Sequence, residues 1–411
     1  MLKPDRLKTP SILQLIITSI GILGSISLGS LMLLFGMVSV FGPESDSLYP
    51  VQFFAMGWVA VFVLALLIPS LIFAIRRLNF KSVPEWPSHS FQYASYAMIF
   101  WLLLLAAGEY VARQSFDWLV LPPIQILVVA IPLWWLVEFG RRGLRAGSQQ
   151  RNWCFLGTSL VITVPATMVI ELLIFGFLFL AAAIWLSGQP AVVRQFQDLI
   201  QRISIYQANP EILQQILLPY LQQPWVSSLI LVVMAGLVPL IEELIKPLAL
   251  WGLAGWKLKP SEGFVGGLIC GAGFALLETS IALVSINQGG WWILAVERVG
   301  TGILHIVASG LVGWGLTSAW TEKRYLHLAG GLLSAVALHS AWNAVSLGLG
   351  VFPVLGTTTN SIAGLASVQI IILLVLTVGM LLITYWMNRY LNRKYSGIIL
   401  TQIPGIHPEI N

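Results

Sequence analysis

Two adjacent carboxylates, Glu242 and Glu243, lie in a long apolar run, and Lys246 follows them within one helical turn. A desolvated carboxylate can act as a general base on water and later return the proton to a leaving amine. Because successive residues of an α-helix are rotated by about 100°, only one of the two glutamates can point straight into a shared cavity. The i, i+4 spacing of Glu242 and Lys246 predicts that these two share a helix face.

The three apolar runs that follow also carry ionisable or amide side chains. Those that share a run are spaced one or two helical turns apart, so each pair lies on one helix face. A charged residue at the centre of a membrane helix costs ~2.5–3.5 kcal/mol unless it faces another polar group or water. We therefore expect these side chains to meet in one site. They are, in chain order, Glu278, then Arg298 with His305, and then His339 with Asn343.

The elements that must position these residues are membrane helices. Of the 411 residues, 57% are hydrophobic and 9% are charged, whereas soluble globular chains have about 25% charged residues. Lipid offers the backbone no hydrogen-bonding partner, so each apolar run of about 20 residues predicts one spanning helix. The predicted fold class is all-α, a polytopic membrane helix bundle of about ten transmembrane helices. The runs are roughly 12–40, 51–75, 93–112, 118–139, 154–186, 225–256, 262–286, 292–320, 326–349 and 362–387.

The polar connector between the fifth and sixth runs divides the chain. Its apolar residues recur at helical spacing, which is typical of an interfacial helical hairpin, and Asn209-Pro210 predicts the start of its second helix. The first and fifth runs are longer than a straight span needs, and tilt, a kink near Pro165 or an interfacial extension would absorb the excess. Four regions result: 1–186 with five helices of unassigned role, 187–224 as an external connector, 225–350 with the candidate chemistry, and 351–411 with the last helix and a cytoplasmic tail.

The basic residues predict the orientation. Seventeen of the 22 lysines and arginines fall on alternate connections, and only Arg113, Arg194 and Arg202 fall on the others. The positive-inside rule then puts both termini in the cytoplasm. The net charge of +5 is explained by this bias and gives no support for a nucleic-acid partner. We predict an integral, multi-pass protein of a prokaryotic plasma membrane.

The same topology ranks the polar residues by depth, at a rise of about 1.5 Å per residue. Glu242, His305 and His339 fall near mid-membrane, and both histidines are expected on facing helices around one water. Glu278 and Arg298 fall at matching depth nearer the external surface, on neighbouring antiparallel helices. We predict a buried ion pair between them, with direct catalysis by Glu278 as the alternative.

Four separated motifs resemble those of the PrsW family of intramembrane proteases. The resemblance covers about 225–350, and the wider group includes the CAAX-prenyl endopeptidases, whose first motif ends in arginine at a different spacing. It implies a helical membrane fold and hydrolysis of a peptide bond within or beside a membrane segment. The implied partners are the lipid bilayer and a membrane-protein or peptide substrate. The motifs are Glu242-Glu243-Leu244-Ile245-Lys246, Gly273-Phe274-Ala275-Leu276-Leu277-Glu278, Arg298 with His305, and His339-Ser340-Ala341-Trp342-Asn343.

The resemblance also suggests roles for the residues. Glu242 or Glu243 would be the general base, with Glu278 as a further catalytic candidate and Lys246 and Arg298 in support. The histidines would orient the water or stabilise the oxyanion, to which an amide donor would also bond. Two histidines and a glutamate also suit zinc, with the second glutamate as base. No HExxH pair lies on one helix, so the sequence leaves both versions open, and we favour the one without a cofactor. The oxyanion donor would be Asn343, and the zinc ligands would be His305, His339 and Glu242.

Other classes of membrane protein fit less well. All four aspartates, Asp5, Asp46, Asp117 and Asp198, fall outside the predicted spans, which excludes an aspartyl intramembrane protease. A rhomboid-like serine dyad at Ser309 lacks the leading glycine of its motif and gives the glutamate pair no purpose. In a proton-coupled transporter the same residues would form a relay. The first half of the chain holds no counterpart of the glutamate pair, which counts against that alternative.

Overall fold

The structure is a computed structural model, and within its described residues every regular element is helical. One isolated β-bridge, between Glu85 and Ser148, lies outside the helices. The all-α prediction is confirmed. The described residues are 4–41, 50–87, 89–145, 147–206, 209–221, 223–254, 258–284, 291–351 and 359–400.

The helices are named in chain order. Two π-helical turns, Ser159–Thr163 and Val233–Leu237, interrupt the series after the fifth and ninth helices. The helices are α1 (Pro4–Phe41), α2 (Pro50–Leu78), α3 (Ser90–Val111), α4 (Asp117–Arg141), α5 (Gln149–Thr158), α6 (Val164–Ser187), α7 (Pro190–Tyr206), α8 (Pro210–Leu221), α9 (Pro224–Val232), α10 (Val238–Ile245), α11 (Leu248–Trp251), α12 (Pro260–Val284), α13 (Trp291–Glu322), α14 (Tyr325–Val351) and α15 (Thr359–Leu400).

Ten helical stretches in the described part of the chain are long and apolar enough to cross a membrane. This confirms the predicted polytopic bundle and its number of spans. The connector is also helical as predicted, and Asn209 Oδ1 accepts a hydrogen bond from the Ile212 N–H at 3.1 Å at the start of α8.

The sixth span ends earlier than the sequence predicted. The apolar run extends to residue 256, but α10 ends at Ile245 and a turn follows before α11. Pro247 has no N–H, and its ring disfavours the helical conformation of the residue before it. Lys246 therefore lies in the turn after the helix and not within the span, where the sequence had put it.

Both π-helical turns are followed by a Val-Pro dipeptide. Proline cannot donate the i to i−4 hydrogen bond, and its ring clashes with the carbonyl four residues earlier. For Pro165 and Pro239 that carbonyl belongs to Val161 and Ala235, the central residues of the two π-helical turns. Widening the helix by one residue per turn relieves the clash. Of the alternatives for the long fifth run, the structure shows a helical irregularity just before Pro165, in the form of a π-helical turn.

The chain forms two compact units that do not follow chain order. Glu242 belongs to one unit and Glu243, its covalent neighbour, to the other. The first unit comprises Met1–Pro165, Glu243–Ala335 and Thr377–Asn411, and the second comprises Ala166–Glu242 and Val336–Leu376.

In the first unit, α12 and α13 are packed backbone to backbone. Gly263, Gly267 and Gly271 follow one another at i, i+4 on the face of α12 that meets α13. A Cβ atom at Gly267 would lie 2.1 Å from the Ser309 carbonyl oxygen, and one at Gly271 would lie 2.3 Å from the His305 carbonyl oxygen. Small residues allow such close approach of membrane helices. This stripe sets the distance between α12 and α13 at the level of His305.

The substitution Gly271→Ala tests the role of this close packing. The added methyl group must push α12 away from α13, and we expect a loss of about 1–3 kcal/mol in the free energy of unfolding. Thermal unfolding in detergent, followed by tryptophan fluorescence, measures the loss. Gly330→Ala in α14 is the matched control, because a Cβ there meets nothing within 4 Å. Equal unfolding midpoints for the two variants would contradict this account.

Candidate active site

The first unit contains a continuous series of five ionisable side chains, here called the polar chain. Lys246 Nζ donates to Glu243 Oε1 at 2.6 Å and lies 2.6 Å from His305 Nδ1. On the other side of the imidazole, His305 Nε2 lies 2.6 Å from Glu278 Oε2. Arg298 Nη2 donates to Glu278 Oε1 at 2.7 Å. Side-chain contacts thus connect the turn after α10 to α12 and α13.

Burial changes along the polar chain. The side chains of Glu243 and Lys246 are fully buried, and His305 is 1% exposed. Glu278 retains 35% of its side-chain exposure and Arg298 retains 16%. Buried charges are costly unless each is paired and hydrogen-bonded. In the polar chain each charge is paired, because two carboxylates alternate with two cations and the imidazole lies between the two pairs.

The partners of His305 indicate its tautomer. A protonated lysine can only donate, so Nδ1 accepts from Lys246 and the proton of a neutral ring lies on Nε2, facing the Glu278 carboxylate. Each ring nitrogen therefore has its own polar partner within the chain.

Phe274 is part of this site, although the sequence analysis gave it no role. It is 3% exposed, its ring meets the His305 ring edge to face at 5.2 Å, and Lys246 Nζ lies 4.7 Å from its centroid. A cation over an aromatic face is stabilised by the ring quadrupole. The spacing of Phe274 and Glu278, i and i+4 on α12, is the sequence signal that could have revealed it.

The structure contains two ion pairs among the charged residues singled out from the sequence. The predicted pair of Glu278 and Arg298 is confirmed, but it is only partly buried and Glu278 also contacts His305. Lys246 was expected on a helix face shared with Glu242. It lies one residue beyond the end of α10, and its side chain forms an i, i+3 ion pair with Glu243.

In the second unit, α14 meets the segment that carries Glu242. His339 Nε2 lies 3.9 Å from Glu242 Oε2, and both side chains are largely buried, at 2% and 11% exposure. One turn further along α14, Asn343 Nδ2 donates to the Met234 carbonyl at 2.9 Å. That carbonyl lies in the π-helical turn. The amide predicted to bind an oxyanion therefore already holds the backbone that leads to Glu242.

Comparison with known protein families adds to this geometry. The model of the PrsW family intramembrane metalloproteases matches residues 164–380, more than half of the 411-residue chain. The chain belongs to the PrsW family. No curated protein and no solved structure matches it.

PrsW-family membership has three consequences. It confirms the resemblance drawn from the four motifs, and the match is wider than 225–350, since it begins at the start of α6 and ends within α15. It implies an intramembrane protease, acting as an integral, multi-pass membrane protein on a protein substrate in lipid. It also favours hydrolysis over the proton-coupled transporter.

The family description raises the question of a metal. Glu242, Glu243, His305 and His339 are buried residues of types that can bind a metal ion or act in catalysis. A zinc-ligating imidazole must offer the lone pair of one nitrogen. His305 does not fit this requirement as it stands, because Nδ1 accepts from Lys246 and Nε2 faces Glu278. The zinc set of His305, His339 and Glu242 would require Lys246 to leave His305.

Substitutions at the Glu278 and Arg298 ion pair distinguish a structural role of Glu278 from a catalytic one. Glu278→Leu or Arg298→Leu alone leaves an uncompensated charge, at a cost of up to about 3–5 kcal/mol for a buried pair. We expect less here, because Glu278 is partly exposed. Each single variant should lower the yield of monodisperse protein in size-exclusion chromatography, and the double variant should recover much of it. If Glu278→Gln kept normal yield but lost all turnover, a purely structural role would be wrong.

Proposed function

We propose that this PrsW-family protein hydrolyses a peptide bond within or beside a membrane segment of a substrate protein, using a glutamate-activated water and no metal ion. The observation that carries the proposal is the polar chain. Its charges alternate, and His305 has a protein partner at each ring nitrogen. An apolar environment makes such fixed, paired groups effective, because they need no reorganisation when charge develops in the reaction.

Within this proposal, the two glutamates have different tasks. Glu243 is engaged by the Lys246 ammonium and supports the site. Glu242, with His339 Nε2 at 3.9 Å, is the general base. It takes a proton from water as the oxygen attacks the carbonyl carbon. It then returns the proton to the amine nitrogen as the C–N bond breaks. His339 orients the water or donates to the oxyanion, with the remaining amide hydrogen of Asn343 as a second donor.

Zinc would act as a Lewis acid and lower the pKa of bound water. We disfavour the zinc-dependent version because Lys246 and Glu278 already contact the two ring nitrogens of His305. Lys246, Glu278 and Arg298 keep the imidazole in position, and Asn343 keeps the π-helical turn before Glu242 in position.

We further propose that the catalytic core is 225–350, in a prokaryotic plasma membrane with both termini cytoplasmic. The distribution of basic residues supports this orientation. In it, the connector of α7 and α8 faces the outside, the substrate is a membrane protein or peptide, and 1–186 has no assigned role.

Cleavage by purified protein in liposomes tests the proposal. Single-span membrane-protein reporters of varied sequence are added, and new chain ends are identified by mass spectrometry. We expect Glu242→Gln to lower the rate about 10²–10⁴-fold, the usual contribution of a general base. Chelator should leave the rate of the native protein unchanged.

The matched control is Glu85→Gln, which changes an exposed carboxylate in the loop between α2 and α3. It should cleave like the native protein. Full activity in both Glu242→Gln and Glu243→Gln would disprove the glutamate assignment. Loss of activity on chelation, restored by zinc, would disprove the metal-free mechanism while leaving the protease intact.

A further inference from the structure

The Lys246 ammonium lies between a carboxylate oxygen of Glu243 and an imidazole nitrogen of His305. Its Nζ is 2.6 Å from Glu243 Oε1 and 2.6 Å from His305 Nδ1, and the side chain is fully buried. The Phe274 ring faces the same ammonium at 4.7 Å. One protein-borne cation thus binds a carboxylate oxygen and an imidazole nitrogen at once.

These two atoms are also typical zinc ligands, which bind the ion at about 2.0–2.2 Å. The structure even contains the outer partner that zinc-binding histidines usually have, a carboxylate on the other ring nitrogen. Here that carboxylate is Glu278, whose Oε2 lies 2.6 Å from His305 Nε2. Glu243, His305 and Glu278 therefore provide two ligands and one outer carboxylate of a metal site whose cation position is taken by lysine.

We propose that Lys246 is the resident cation of this site and prevents His305 from binding a metal ion. The inference deepens the function proposed above, and rests on it in assigning Lys246 a task in a metal-free protease. If the ammonium is removed, Glu243 and His305 become ligands for Zn²⁺. In an open zinc site a water molecule occupies one coordination position.

Zinc content tests this proposal without any turnover. Purified native protein, Lys246→Ala and Lys246→Arg are dialysed against Zn²⁺, and bound metal is measured by mass spectrometry. We expect one more equivalent of zinc in Lys246→Ala than in the native protein. Lys246→Arg keeps a cation in place and should match the native protein.

Two further variants identify the ligands. Adding His305→Gln to Lys246→Ala should remove the extra equivalent. Adding Glu278→Gln should weaken its zinc affinity about 10–100-fold, the usual effect of losing the outer carboxylate. The visible spectrum of bound Co²⁺ should report a nitrogen ligand in Lys246→Ala and lose that signature with His305→Gln.

The proposal is overturned if native protein holds zinc that His305→Gln removes. This comparison needs no lysine variant, so it remains decisive if Lys246→Ala fails to fold. A folded Lys246→Ala that gains no zinc also overturns it. If the metal contents were as expected but no substrate were cleaved, only the proposed function would be overturned. If protein with zinc bound to His305 cleaved the substrate, only this inference would be overturned.

Discussion

The contact of His305 with Lys246 on one side and Glu278 on the other is the constraint on which the site depends. It fixes the imidazole at both nitrogens and joins a buried ion pair to a partly exposed one. The glycine stripe of α12 brings α13 close enough for Glu278 to reach the ring. Pro247 ends α10 so that Lys246 lies in a turn. The close packing of α12 with α13 and the end of helix α10 therefore both position this one set of electrostatic contacts.

The polar chain also explains how an apolar bundle can hold so many ionisable groups. Charges inside a bilayer persist when they pair with one another or face water. Here carboxylates and cations alternate, and the less buried members, Glu278 and Arg298, are at one end. In the second unit, the π-helical turn before Pro239 leaves backbone groups to be satisfied, and Asn343 bonds one carbonyl there. The π-helical turn and the Asn343 amide thus position the helical segment that carries Glu242.

Much of the fold could be predicted from the sequence, because ten apolar runs in lipid have few alternatives to helices. The Glu278 and Arg298 pair was also predictable from topology and helical rise. The partner of Lys246 was not, because the hydropathy of the run to residue 256 concealed the break at Pro247. The role of Phe274 and the contact of Lys246 with His305 depend on how α12 and α13 are rotated. Spacing along a single helix cannot give that rotation.

A crystal structure from crystals grown with Zn²⁺, with anomalous diffraction recorded at the zinc absorption edge, would show whether Lys246 or a metal ion contacts His305. We expect Lys246 Nζ between the Glu243 carboxylate and His305 Nδ1, and no anomalous peak within bonding distance of the imidazole. An anomalous peak about 2.0–2.1 Å from a ring nitrogen of His305, with the lysine side chain turned away, would contradict this expectation.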